Sequence, residues 1–135
     1  MKLILGPMEC HLRLLARTAG VERLGFILGR VGDGRIYAYT YVAVSNAEGS
    51  PVRFTADPWD TIVAHKVAEN TGLEVVAFHH THPCGSARPS MLDLQGMRRW
   101  PIIWVISSPA ETRAWKLDSG TLVEVGVEGC GSGNR

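Results

Sequence analysis

Residues 73–83 read Leu-Glu-Val-Val-Ala-Phe-His-His-Thr-His-Pro, and no other stretch constrains the chain as tightly. Val75, Val76, Ala77 and Phe78 favour a strand that carries the histidines. Side chains alternate along an extended segment, so His80 and His82 point to one side while His79 and Thr81 point to the other. The origins of the His80 and His82 side chains then lie about 7 Å apart, a span that two zinc–nitrogen bonds can close. After Pro83 come six residues and then Ser90-Met91-Leu92-Asp93. Pro89-Ser90 is a helix entrance, Ser90 with Asp93 is a capping signature, and Asp93 offers a third ligand from the first turn. Three protein ligands leave a fourth position open, the pattern of a catalytic zinc rather than a structural one.

Each of these residues also has a plainer reading. A lone histidine on an apolar face is usually a hydrogen-bonded structural residue, and His11, His65 and His79 are read that way. Ser90 is an N-cap, and beside a ligand its hydroxyl also suits donation to a developing oxyanion. Asp93 is a capping acid in its own right, and the paired histidines upstream turn it towards ligation. Glu22 opens the apolar stretch 22–29, where a solvated carboxylate at a strand end is ordinary. Hydrolysis needs a base, but spacing alone does not bring Glu22 to His80. Cys84 follows Pro83 directly. It reads as a small loop residue, as a thiolate able to reach the open metal position, or as a thiol oxidised onto Cys10 or Cys130.

The rest of the chain supplies a frame for this site. Pro7 starts a helix with Met8, Leu12, Leu15 and Ala19 on its core face, stopped by Gly20. Residues 22–29 and 35–44 form a hairpin about Gly32-Asp33-Gly34, with Glu22 at its open end. Residues 45–51 are turn formers, and residues 52–55 a short strand and a candidate edge for an extended substrate tail. Asp57-Pro58 opens a second helix that carries Trp59, Ile62, Val63 and Val67 to one side and ends near Gly72. The helix from Ser90 stops at Trp100-Pro101. Strands follow at 102–106, 112–117 and 121–127, and residues 129–135 are expected to be a flexible tail on a domain spanning 1–128. The order predicts one α+β domain with a mixed, mostly antiparallel sheet flanked by helices.

At 135 residues the chain can bury a core without staples. A formal charge of +1 with scattered basic residues gives no case for nucleic acid or an anionic membrane. Three cysteines do not make a secreted disulfide framework, and a reducing cytoplasm is the simpler setting. Leu3-Ile4-Leu5 is too short for a signal core or a membrane span, so a soluble, unprocessed protein is expected.

Taken together, Glu22-x-x-Gly25-x-Ile27-x-Gly29, His80-x-His82-Pro83 and Ser90-x-x-Asp93 resemble the JAMM (MPN+) zinc metallopeptidases, over residues from about 7 to 125. The resemblance implies a single MPN domain of the cytidine-deaminase-like type, close to the short, stand-alone prokaryotic members. It implies Zn2+ held by His80, His82 and Asp93, with Glu22 as the base and Ser90 holding the tetrahedral intermediate. The implied reaction is hydrolysis of isopeptide or peptide bonds after the C-terminal Gly-Gly of a ubiquitin-like or sulfur-carrier protein. A peptidase that trims a sulfur carrier's C-terminus is the alternative enzyme. A non-catalytic MPN scaffold lacks such ligands and fits less well.

Overall fold

The computed structural model describes residues 1–46 and 55–130. The elements run β1 (Lys2–Gly6), α1 (Met8–Thr18), β2 (Leu24–Gly32), β3 (Arg35–Val44), α2 (Pro58–Thr71), β4 (Glu74–Thr81), α3 (Met91–Arg99), β5 (Ile103–Ser107), β6 (Thr112–Asp118) and β7 (Thr121–Gly129). The expected strand and substrate edge at 52–55 lie, but for Thr55, outside the described residues.

The α+β class holds, but the sheet is a closed barrel in the order β1-β3-β2-β4-β5-β6-β7. This corrects the expectation of a mixed, mostly antiparallel sheet merely flanked by helices. The element that makes the difference is β1, which pairs in parallel with both β3 and β7. Its apolar run is short and does not alternate with polar residues, so it carries little strand signal; yet Leu3 and Leu5 are buried. Closure removes the free edges that an open sheet would leave. The β2–β3 hairpin turns on Asp33 and Gly34, both in the left-handed region, as a two-residue turn requires.

Strand alternation sorts the core into two sides. Phe26, Phe78, Trp104 and Ile106 face α2 and α3, where they meet Ala64, Ala68 and Met97. Ile27, Ala77 and Val105 face the opposite way and pack with Leu3 and with Leu12 of α1. The predicted face of α2 is a correction. Of that face Val67 packs against the core, but Trp59, Ile62 and Val63 are exposed, and the helix buries Ala64 and Ala68 in their place. Small side chains let the helix axis approach the sheet closely, which the bulky apolar residues would prevent. Gly96 does the same for α3, because a Cβ there would overlap the Trp104 ring.

His79 lies on the α1 side, as its parity predicts. Its two ring nitrogens meet the Tyr41 hydroxyl at 2.8 Å and the Ser107 hydroxyl at 3.0 Å, and Ser107 in turn bonds Thr112 at 2.9 Å. Tyr41 reaches His79 by leaning across Gly25, where any Cβ would fall inside its ring. An unpaired nitrogen at this buried position would cost about 1–3 kcal/mol. Burial, followed by the charges of His80 and His11, holds the His79 imidazole neutral, well below its ordinary range.

Cys10 of α1 and Cys130, just past β7, are joined by a disulfide, and Cys84 is the free, exposed thiol. Closing a loop of 120 residues restricts the unfolded chain by about 4–5 kcal/mol in the chain-entropy account. Gly129, expected in the tail, is the last residue of β7, and Cys130 is tied by this link. Among the described residues no helix is long and apolar enough to cross a membrane.

Candidate metal centre

The fold brings the sequence-separated candidates to one point on the α2–α3 side. His80 is in β4 and His82 just beyond its end, with their Nε2 atoms 3.2 Å apart. Asp93 in the first turn of α3 spans both, its Oδ1 3.0 Å from His80 Nε2 and its Oδ2 3.0 Å from His82 Nε2. A tetrahedral zinc with bonds of about 2.0–2.1 Å has ligand–ligand edges of about 3.3 Å, so this donor set has the chemistry and spacing of a zinc site.

Local structure fixes each candidate ligand. Ser90 Oγ accepts the Asp93 N–H at 3.1 Å, and the Ser90 N–H donates to Asp93 Oδ2 at 2.9 Å. This reciprocal capping box opens α3 and sets the carboxylate's orientation in the same stroke. His82 Nδ1 donates to the Ser86 carbonyl at 2.7 Å, which leaves Nε2 for the centre. Phe78 stacks on the His80 ring, and Trp104 stands edge-on to it.

Glu22 joins the group through strand pairing. Leu24 of β2 is opposite His80 of β4. Just before β2 begins, Arg23 N–H donates to Thr81 Oγ1 at 2.8 Å, and Thr81 N–H donates back to the Arg23 carbonyl at 3.0 Å. Asn46 Nδ2 donates to the Glu22 carbonyl at 2.9 Å. These three bonds hold Glu22 against the histidines, with Oε1 3.8 Å from His80 Nε2. The ligand atoms of Glu22, His80 and His82 all lie within 4.8 Å of one another. Glu22 is only 3% exposed, and its Oε1 has no hydrogen-bond partner among the described residues, an orphan acceptor turned towards the donor set. The sequence holds no sign of the Arg23–Thr81 clamp or of the Asn46 and Ser86 contacts, since each depends on tertiary pairing.

Electrostatics separate the two carboxylates. Burial pushes Glu22 up to about 7, with His82 opposing and Asp93 adding to the rise. Asp93 is also buried, but hydrogen bonds from His80 and His82 outweigh that burial and hold it far below the usual carboxylate range. Burial lowers His80 despite its bond to Asp93. For His82, burial is overcome by the bonds to Asp93 and the Ser86 carbonyl, and its pKa rises. One carboxylate is therefore a permanent anion between two imidazoles, and the other titrates near neutrality, which is the division needed between a ligand and a base.

His11 and His65 stand apart from this centre. His65 bonds the Thr61 carbonyl one turn back at 2.9 Å, and His11 meets the edge of Tyr41.

Comparison with known proteins bears on the family and the fold. Residues 9–118 match a family described as prokaryotic homologs of the JAB domain. Over 101 residues the chain is 37% identical to a desampylase of Pyrococcus furiosus, covering 74% of this chain and 69% of that one. Over 114 residues it is 33% identical to a Thermus thermophilus protein named "Probable TtuB-protein conjugate cleaving protease", covering 84% of this chain and 73% of that one. A solution structure of a Desulfitobacterium hafniense protein has a TM-score of 0.82 at 22% identity, over 96% of this chain and 92% of that chain, a likeness of fold. A second, from Salinibacter ruber, has a TM-score of 0.64 at 25% identity over 95% of this chain and 92% of the other.

Proposed function

This chain belongs to the prokaryotic homologs of the JAB domain, and from that premise we propose that His80, His82 and Asp93 hold a zinc ion at the centre of an isopeptidase. The observation that carries the reading is the convergence of two imidazole nitrogens and one carboxylate within 3.2 Å, with the orphaned Glu22 oxygen beside them. Zinc, when bound, supplies Lewis acidity, making water a nucleophile at neutral pH and polarising the scissile carbonyl.

The chain's own groups do the rest. The Glu22 carboxylate takes a proton from the attacking water; its pKa, raised to about 7, makes it a stronger base while leaving the proton transferable near neutral pH. As the C–N bond breaks, the proton passes to the leaving amine, so the products are a C-terminal carboxylate and a free amine. Ser90 Oγ accepts from the Asp93 backbone, leaving its own hydroxyl proton to donate to the oxyanion. The domain proposed to carry this chemistry is the one expected at residues 1–128, with Gly129 of β7 and the linked Cys130 added to it.

The substrate we propose is a ubiquitin-like or sulfur-carrier protein joined through its C-terminal Gly-Gly to a lysine or a peptide. One relative's name is desampylase, and the other's specifies cleavage of TtuB-protein conjugates. A processing peptidase acting on a linear bond after the same diglycine uses the same groups. A non-catalytic scaffold has no use for an orphaned carboxylate beside three ligands. A diglycine tail is narrow, so replacing the glycine next to the scissile residue by valine is expected to cut the cleavage rate at least about tenfold by steric exclusion. Parallel assays on the two conjugates check this, and equal rates would remove the diglycine from the substrate definition.

A further inference from the structure

Seven residues, 83–89, separate His82 from the cap of α3, and Cys84, Gly85, Ser86 and Arg88 among them are exposed. Gly85 turns the loop in the left-handed region, at φ +100. Ala87 anchors this segment, its methyl wholly buried in the core. The Ala87 carbonyl accepts the Trp115 Nε1–H at 2.9 Å, in a buried bond to a residue of β6. The neighbouring Ser86 carbonyl is the one that accepts His82 Nδ1–H at 2.7 Å.

Trp115 is itself held firmly. It is 4% exposed and pairs with Trp104 across β5–β6. The Arg113 guanidinium sits 4.6 Å from its ring centroid and Arg88 sits at 5.3 Å. Arg113 is fixed in turn by two bonds to Glu124, at 2.9 and 2.6 Å. The indole N–H is thus a rigid post aimed at one carbonyl of an otherwise exposed loop.

We propose that Trp115 is a positioning residue for the metal: by pinning Ala87, it sets the Ser86 carbonyl that fixes the tautomer and orientation of His82. The inference rests on the reading of His82 as a ligand. Without the indole N–H, the buried Ala87 carbonyl loses its partner and the loop relaxes towards water. His82 Nδ1 then loses its acceptor, and Nε2 is no longer held towards His80 and Asp93. Outer partners of this kind typically carry about 10–100-fold in metal affinity.

The test is zinc affinity by chelator competition, together with the thermal midpoint of the metal-free protein, for five variants. Trp115→Phe keeps a ring in the core and removes the N–H, and its zinc Kd is expected to rise at least about tenfold. Ala87→Gly removes the buried methyl anchor and is expected to weaken zinc in the same direction. Combined with Trp115→Phe it should add less than its effect alone, because both act through one loop. Val125→Ala, in the core on the α1 side, should lower the metal-free midpoint and leave zinc affinity unchanged. A Kd within about twofold of wild type in both Trp115→Phe and Ala87→Gly would overturn the proposal, as would equal weakening in Val125→Ala. Should Trp115→Phe not fold, unchanged zinc affinity in Ala87→Gly overturns it alone. Zinc uptake that survives His82→Ala would instead overturn the ligand assignment and this inference with it.

Discussion

Glu22→Gln is expected to slow hydrolysis of a diglycine conjugate at least about 100-fold while zinc stays bound. Glutamine keeps the size and the polar contacts of the side chain but cannot accept a proton from water. No proposed ligand atom is removed, so metal content should remain at the wild-type level. The same substitution should raise the stability of the metal-free protein near neutral pH and above. The folded-state pKa of Glu22 is raised from 4.5 to about 7, so folding disfavours its ionised form. The stability that comes from a neutral Glu22 is complete below pH 4.5 and is lost as pH rises towards and through about 7. Removing the titration should therefore gain of order 2 kcal/mol on the alkaline side, allowing for solvent screening, and nothing on the acid side. Thermal melts of both proteins either side of this window, run beside rate and metal measurements, check all three expectations. A variant that cleaves normally would place the base elsewhere, and one that loses zinc would make Glu22 a ligand.

His82→Ala is expected to remove the metal altogether. The three proposed ligands meet through contacts of 3.0 Å from Asp93 Oδ1 to His80, 3.0 Å from Asp93 Oδ2 to His82 and 3.2 Å between the imidazoles, and losing His82 leaves one imidazole and one carboxylate. Zinc affinity should fall by more than the roughly 10–100-fold of an outer-shell change, and metal analysis of the purified variant should find almost none. Activity should vanish with it. The fold should persist, since the two core clusters on either side of the sheet owe nothing to the metal. Circular dichroism separates this outcome from unfolding. A variant that unfolds on losing zinc would make the centre structural rather than catalytic.

The parts of the site that were legible in the sequence are those set by local geometry. The two-residue period of a strand puts His80 and His82 on one side and His79 on the other, and the capping box at Ser90 places Asp93 in the first turn of α3. Glu22 was not legible from spacing, because a pairing between β2 and β4 and the Arg23–Thr81 clamp bring it in from 58 residues away. The resemblance to the JAMM enzymes supplied what local rules could not. For the fold, the hairpin, the caps and the buried β5 followed from composition and turn chemistry. The closing strand β1 did not, since its burial depends on two partners distant in sequence, β3 and β7. The face of α2 was misread because apolar bulk was taken for the buried side, where alanine makes the close approach instead. Cys10 and Cys130 carry no sequence sign of pairing, because only barrel closure brings α1 and the end of β7 together.

The most direct measurement is release of a diglycine-ended carrier protein from a lysine isopeptide conjugate, followed before chelation, after chelation and after zinc is returned. The expected result is cleavage after the terminal glycine, its loss with the metal and its recovery with zinc, in the wild type and not in Glu22→Gln. Cleavage that persists after zinc has been stripped, or a conjugate left intact by fully zinc-loaded protein, would contradict it.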